Sequence, residues 1–383
     1  MNLRKMIGNA LALCFTAATV LSFANPVVAK ADETEKVEAE VNTDIDMLFE
    51  GTIMNESKDK TYVFTAPDNG YAQVTIKGAD PNEEYSWSYR INNQNGSTYE
   101  SEIGEYGLTN RTSNEFTVTK GEKYYVTVGN EEKYWNREGI LRFSFTKSDS
   151  WELEGNDSVA GAYALEEGKT ITGTITYKND VDYYKFDINN ACKVKITVNA
   201  ADPSTTGNWN LYLTNEDGQT NEIYEDIKSK QDSTFYLKKG TYYLSFDVYP
   251  GYGSKVGIKY NLLYSTSSLS IKTPTVKKIA GYTGSRYSYF DSISLKNAGT
   301  VDGYLVKIAK KKTMKGILYN EVLSHFSGKN KIVVNKVLGK YTLSQKASTV
   351  YITVRPYVLD SFGNRIYGSI SKVKAQILKK KAI

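Results

Sequence analysis

One spacing limits this chain more than any other feature: like residues recur 122 positions apart. Gly51-Thr52-Ile53 returns as Gly173-Thr174-Ile175, and Phe64 as Phe186. Val74 and Ile76 return as Ile196 and Val198, Ala79-Asp80-Pro81 as Ala201-Asp202-Pro203, and Trp87 as Trp209. After short length changes, KGEKYYVTV is matched by KGTYYLSFDV. A fixed offset held from Gly51 to Trp87 marks a tandem duplication. Whatever one copy folds into, the other must fold into as well.

The repeated unit reads as strands. FEGTI, KTYVFTA, YAQVTI, YSWSYRI, NEFTV, KYYVTVG and LRFSFT alternate apolar and polar residues, and Gly, Asn and Asp clusters separate them. Tyrosine supplies 31 of 383 residues, so the chain is rich in a residue that favours strands. From Ile271 a different series follows: PTVKKIAGY, DSISLKNAG, DGYLVKIAKKK, KIVVNKV, TVYITVRPYVL and SKVKAQIL. Short strands at regular spacing predict an all-β protein of three consecutive β-sandwich modules. KGILYNEVLSHF is the one segment that reads as a turn or two of helix.

The N-terminus reads as a signal. Arg4 and Lys5 precede the apolar stretch MIGNALALCFTAATVLSFA, and Ala29 and Ala31 form a small-residue cleavage site. Residues 1–31 are therefore a secretory signal peptide cut after Ala31. Residues 32–44, acidic and without aromatics, form a solvated leader. The modules then occupy 45–147, 148–266 and 267–383. The mature chain is expected outside the cell, with no membrane span. Its one remaining cysteine, Cys192, cannot staple the fold alone, and a single histidine, His325, rules out a multi-histidine metal site and leaves a His-based triad only that one residue, expected at the surface or in a loop.

Charge divides the chain. Residues 32–268 carry 23 basic and 39 acidic side chains, and residues 269–383 carry 22 and 4. Different surfaces and different partners follow from opposite signs on neighbouring modules. Lys310, Lys311, Lys312, Lys315, Lys379, Lys380 and Lys381 belong to the basic module. They either aid solubility or meet an anionic wall polymer, an acidic glycan or an acidic protein face. Nucleic acid is not expected, since no base-stacking aromatics are interleaved with these lysines. Nothing in the sequence sets an oligomeric state.

The segment ELEGNDS places Glu152, Glu154, Asn156 and Asp157 just before a strand, and Asp180 and Asp182 open the next one. It is either an acidic solvated linker or half of a cation site. Calcium takes six to eight oxygen ligands, and two clusters of acids and amides could supply them. The duplication gives an internal control: Asp182 corresponds to Lys60, and NTDID stands where the second copy has its acidic run. No equivalent site is expected in the first copy.

ELEGNDSVAGAYAL, ITGTITYKNDVDYYKFDI, NLYLTNEDG and FYLKKGTYYLSF together resemble the bacterial pre-peptidase C-terminal domain, a jelly-roll-like sandwich carried by secreted proteins. The first repeat resembles a diverged copy. DGYLVKIAKKKTMKG with VYITVRPYVLDSFGNRIYGSISKVK is similar to a fibronectin type III module, although Leu295–Asn297 holds no core Trp. The second repeat is most like the collagen-binding domains of clostridial collagenases. That resemblance implies a calcium site of Glu152, Glu154, Asn156, Asp157, Asn179, Asp180 and Asp182, with Asn179 where relatives carry Asp. It also implies an aromatic ligand face, here Tyr224, Tyr249 and Tyr252, although Asp247 stands where those relatives place an aromatic. Cross-strand packing accounts for such tyrosines equally.

Three modules use the whole mature chain, and no P-loop or nucleophile elbow is present. The expectation is a secreted, non-catalytic binding or adhesion protein whose partner is an extracellular polymer: matrix protein, glycan or wall polymer. The alternative is a polysaccharide-binding accessory to a separate secreted hydrolase.

Overall fold

The computed structural model describes residues 37–38, 47–55, 60–80, 87–96, 98–102, 110–130, 137–176, 180–202, 208–248, 257–284, 287–324, 330–339, 343 and 347–380. The expected signal peptide, His325, Asn179, Tyr249 and Tyr252 lie outside them. All regular elements among the described residues are strands, and no helix there is long and apolar enough to cross a membrane.

Period-two burial builds each sheet. Along Asp182–Ile188, Asp182, Tyr184, Phe186 and Ile188 are buried and the residues between them are not. Cys192–Ala200 repeats the pattern with Cys192, Val194, Ile196, Val198 and Ala200 inward. Alternate side chains of a strand face opposite ways, so each sheet offers one apolar face, and two such faces pack together. Burying each large apolar side chain contributes about 1.5–3 kcal/mol.

Two of the sandwiches have the same strand order. One sheet of the second sandwich runs Tyr163–Ala164, Asp182–Ile188, Gly240–Val248, Trp209–Asn215, Thr220–Ile227. The corresponding sheet of the first runs Val37–Glu38, Lys60–Thr65, Lys123–Asn130, Trp87–Asn93, Thr98–Glu102. The facing sheets match too. Thr170–Thr174, Lys259–Ser268, Cys192–Ala200 and Gln231–Leu237 answer Met47–Asn55, Arg137–Lys147, Gly70–Gly78 and the short strands Asn110–Thr112 and Phe116–Val118. Separate apolar cores include Trp87 in the first sandwich and Trp209 in the second, each 1% exposed.

The third sandwich packs Thr275–Tyr282, Ser288–Lys296 and Lys331–Leu338 against a sheet built on Gly303–Ala309 and Ser348–Leu359. The segment expected to be helical is corrected here. Ile317–Leu323 is a strand that pairs antiparallel with Gly303–Ala309. The isolated helix would have been too short to hold itself, and pairing with a sheet edge satisfies its backbone instead.

Candidate metal centre

The acidic residues meet at one edge of the second sandwich. Backbone bonds between Glu152 and Thr172, and between Thr172 and Ser150, lay the linker along Thr170–Thr174. This turns the Glu152 side chain into the interior, where it is fully buried. Gly173 makes room for it: a Cβ there would lie 2.6–2.7 Å from the carboxylate. Asp182 arrives from the neighbouring sheet, also fully buried.

Four donors hold Glu152. The Thr174 amide donates to Oε1 at 2.5 Å, and the Tyr184 hydroxyl donates to Oε2. Tyr260 donates to Oε2 at 3.2 Å, and Asn156 Nδ2 lies at 3.5 Å. The single Tyr260 proton is shared with Asp182 Oδ2, its nearer acceptor, and Asn156 Nδ2 reaches Asp182 Oδ1 at 3.3 Å. Two tyrosines and one asparagine thus bind the two inner carboxyls into a single network.

A second layer sits towards the surface. Glu154, Asp157 and Asp180 each bring a carboxylate oxygen within 4.8 Å of the others. Thr176 donates to both arms: its amide to Asp180 Oδ2 at 2.5 Å and its hydroxyl to Glu154 Oε1 at 3.0 Å. Asp180 and Asn156 are each 1% exposed, yet Asp180 Oδ1 and Asn156 Oδ1 have no hydrogen-bond partner. A buried acceptor without a partner is costly. The three converging carboxylates of Glu154, Asp157 and Asp180 could hold a metal ion.

The electrostatics agree. Burial pushes the Glu152 carboxyl up to about 7, against the pull of its four donors. Burial, then the charge of Glu152, a side-chain hydrogen bond with Asp157 and the Asp157 charge raise Asp180 to about 8, against the bond from the Thr176 amide. Glu154 is raised well above the usual range by desolvation and then by Asp180 and Glu152. Asp182 is raised likewise by burial and then by Glu152 and Asp180. Like charges held together in a dry place favour the protonated form; a divalent cation would reverse that.

The site adjoins the first sandwich. Trp151, next to Glu152, stacks on Tyr71 at 4.3 Å, and its Nε1 donates to Thr117 Oγ1 at 2.7 Å. Lys259, next to Tyr260, pairs with Glu115 and stands 5.9 Å from the Trp151 ring centroid.

Of the residues expected from sequence, Glu152, Glu154, Asn156, Asp157, Asp180 and Asp182 come together. Tyr184, Tyr260, Thr174, Thr176 and Gly173 complete the arrangement and were not foreseen. Their signal was weak, because a tyrosine in an alternating strand reads as packing until its hydroxyl is seen to meet a carboxylate. Among the aromatic candidates, Tyr224 is 39% exposed at a sheet edge opposite Leu211. Tyr242 is buried and stacks on Phe186.

No family model matches the chain. A 216-residue stretch is 26% identical to collagenase ColA of Clostridium perfringens (strain 13 / Type A), covering 52% of this chain and 18% of that protein. The chain therefore spans less than a fifth of that relative's length. Among solved structures, similarity is found to the pre-peptidase C-terminal domain of a collagenase from Bacillus anthracis. Identity there is 22% over 27% of this chain and 94% of that domain, with a TM-score of 0.23. A beta-1,2-glucanase from Parabacteroides distasonis shares 9% identity over 56% of this chain and 30% of its own, with a TM-score of 0.18.

Proposed function

We propose that the chain is a secreted, non-catalytic binding protein in which a calcium ion structures the second sandwich. The carrying observation is the pair of buried, unpartnered oxygens, Asp180 Oδ1 and Asn156 Oδ1, beside the converging carboxylates of Glu154, Asp157 and Asp180. Every donor is oxygen, which suits a hard cation and not zinc. Glu154, Asn156, Asp157 and Asp180 would hold the ion. Glu152 and Asp182, fixed by Tyr184 and Tyr260, would tie the linker to the sheet behind it. The ion would supply positive charge to an acidic cluster whose strongest charged neighbours are all negative. It would also steady the Trp151 contact with the first sandwich.

The two matching sandwiches are read as tandem pre-peptidase C-terminal-like domains and the third as fibronectin type III-like. The partner class is an extracellular polymer. The likeness to a collagenase supports a fibrous matrix protein such as collagen, and the basic third module supports an anionic wall polymer as a second contact. Immobilised collagen and purified cell walls, each tried at low and high salt with calcium or chelator, test these readings. Charge-driven wall binding should wash off with salt, and calcium-dependent retention on collagen should not. Failure to bind either polymer under any of these conditions would exclude both.

A further inference from the structure

The second sandwich has two open edges. The acidic linker fills the one beside Tyr163–Ala164 and Thr170–Thr174. At the other, the outermost strands of the two sheets, Thr220–Ile227 and Gln231–Leu237, run side by side. A groove of about 450 Å³ lies between them. Half-buried Ile223 and Phe235 supply its apolar surface with fully buried Leu213 behind them, and Tyr224, Ser233 and Glu222 its more polar margin. The volume falls in the range of ligand sites.

One end of this groove already holds main chain. The Ser361 amide, from a turn of the third sandwich, donates to the Tyr236 carbonyl at 3.1 Å. On the opposite wall, Asn221 Nδ2 donates to the Ser361 carbonyl. Both backbone groups of one residue are thus gripped, one by each edge strand. Next to it Phe362 stacks on Tyr242.

The Tyr236 bond also fixes the phase of the edge. In an antiparallel pair, residues alternate between bonding across the ladder and pointing away from it. Tyr236 lies opposite Lys193 and spends its carbonyl outward. Thr234 and Asp232, opposite Lys195 and Thr197, share that phase. Their amides and carbonyls therefore face outward along the groove, in line with the bond Ser361 makes; the Asp232 carbonyl there accepts from the exposed Gln231 Nε2 at 3.3 Å, and Thr234 offers the open pair. An edge of this kind is a template for another strand.

We propose that the groove binds an extended peptide that adds as a strand to Gln231–Leu237, continuing from the point where Ser361 is held. Its alternate side chains are apolar and seat against Ile223 and Phe235. Its net charge is positive, matching exposed Glu222 and Glu225 on the facing strand. Main-chain bonds give such a complex its affinity and the alternate side chains its selectivity. This goes beyond the calcium reading, since neither groove strand carries a residue of the acidic site.

A phage-displayed library of linear dodecapeptides, panned against the full chain, tests it. Enriched peptides should alternate apolar residues and carry basic ones. Thr234→Pro removes one outward amide, and Ser233→Trp fills the groove. Each should weaken the best peptide at least tenfold in fluorescence anisotropy. Independently of any variant's folding, N-methylation of alternate peptide amides should abolish binding to the unaltered protein in one phase and spare it in the other. The proposal is overturned if no linear peptide is enriched, or if N-methylation in either phase leaves affinity unchanged.

Discussion

The first and second sandwiches share a strand order and differ at one edge. Where the second buries Asp182, the first has Lys60 at the matching position of the matching strand. The second places Tyr260 opposite Ala200; the first places Gly139 opposite Gly78. Gly139 lets Trp87 close in, since a Cβ there would lie 2.5 Å from the indole. Tyr260 instead packs edge-on to Trp209 at 5.6 Å and aims its hydroxyl at the carboxyls. One scaffold therefore closes this region in two ways, by aromatic packing in the first copy and by a polar network in the second. The network is the more demanding solution. It leaves acidic groups that only protons or a cation can settle.

The largest expected effect tests the space behind that network. Gly173→Ala sets a Cβ against a carboxylate that four donors hold in place. Denaturant unfolding should show a loss of about 2–4 kcal/mol for the second sandwich. Gly51→Ala, at the matching position of the first copy, where NTDID stands in place of the ELEGND run, should cost less.

Next comes pH, where the two copies should respond with opposite sign. Free carboxyls titrate near pH 4, whereas in the folded chain Glu152 titrates at about 7 and Asp180 at about 8. In chelator, between those limits, the folded second sandwich holds more protons than its unfolded form. Its stability is then full below about pH 4 and falls until about pH 8 is passed. In the first sandwich, a hydrogen bond from Lys147 lowers the Asp68 carboxyl. That contribution is present above the unfolded pKa and is lost as pH falls. Hydrogen exchange of Asp182–Ile188 and Lys60–Thr65, corrected for intrinsic rates, reads the two separately: from mildly acidic to mildly alkaline pH the second sandwich should weaken while the first stays level, and only below about pH 4 should the first weaken. Matching slopes would break the comparison.

Tyr260→Phe removes a hydroxyl bonded to Asp182 and should cost about 1–2 kcal/mol with calcium present. Glu154→Gln should separate two quantities: thermal melting in chelator rises slightly as repulsion is relieved, while calcium affinity falls. Lys60→Asp is the smallest change. One carboxylate without the remaining ligands should leave stability within about 0.5 kcal/mol and add no calcium binding to the first sandwich.

Much of this was legible in the sequence. The 122-residue offset and the period-two alternation are local signals, and both passed directly into strands. Asp180, Asp182 and the acidic run were visible because each sits beside a recognisable strand. Tyr260 was not. Gly139, which matches it across the Ala200 and Gly78 pairings, lies past the length changes that end the fixed offset, and the direction of a hydroxyl is a tertiary fact. The groove was hidden for the same reason, since its two edge strands meet only when the sheets pack. Ile317–Leu323 was misread as helical because local composition does not record the sheet edge waiting beside it.

Calorimetric titration of the full chain with calcium near pH 7.5 tests the central claim most directly. Saturable binding heat is expected, its size varying with the buffer's ionisation enthalpy because protons are released, and Asp180→Asn combined with Glu154→Gln should abolish it. The absence of binding heat at millimolar calcium, together with a melting temperature unmoved by chelator, would contradict the account.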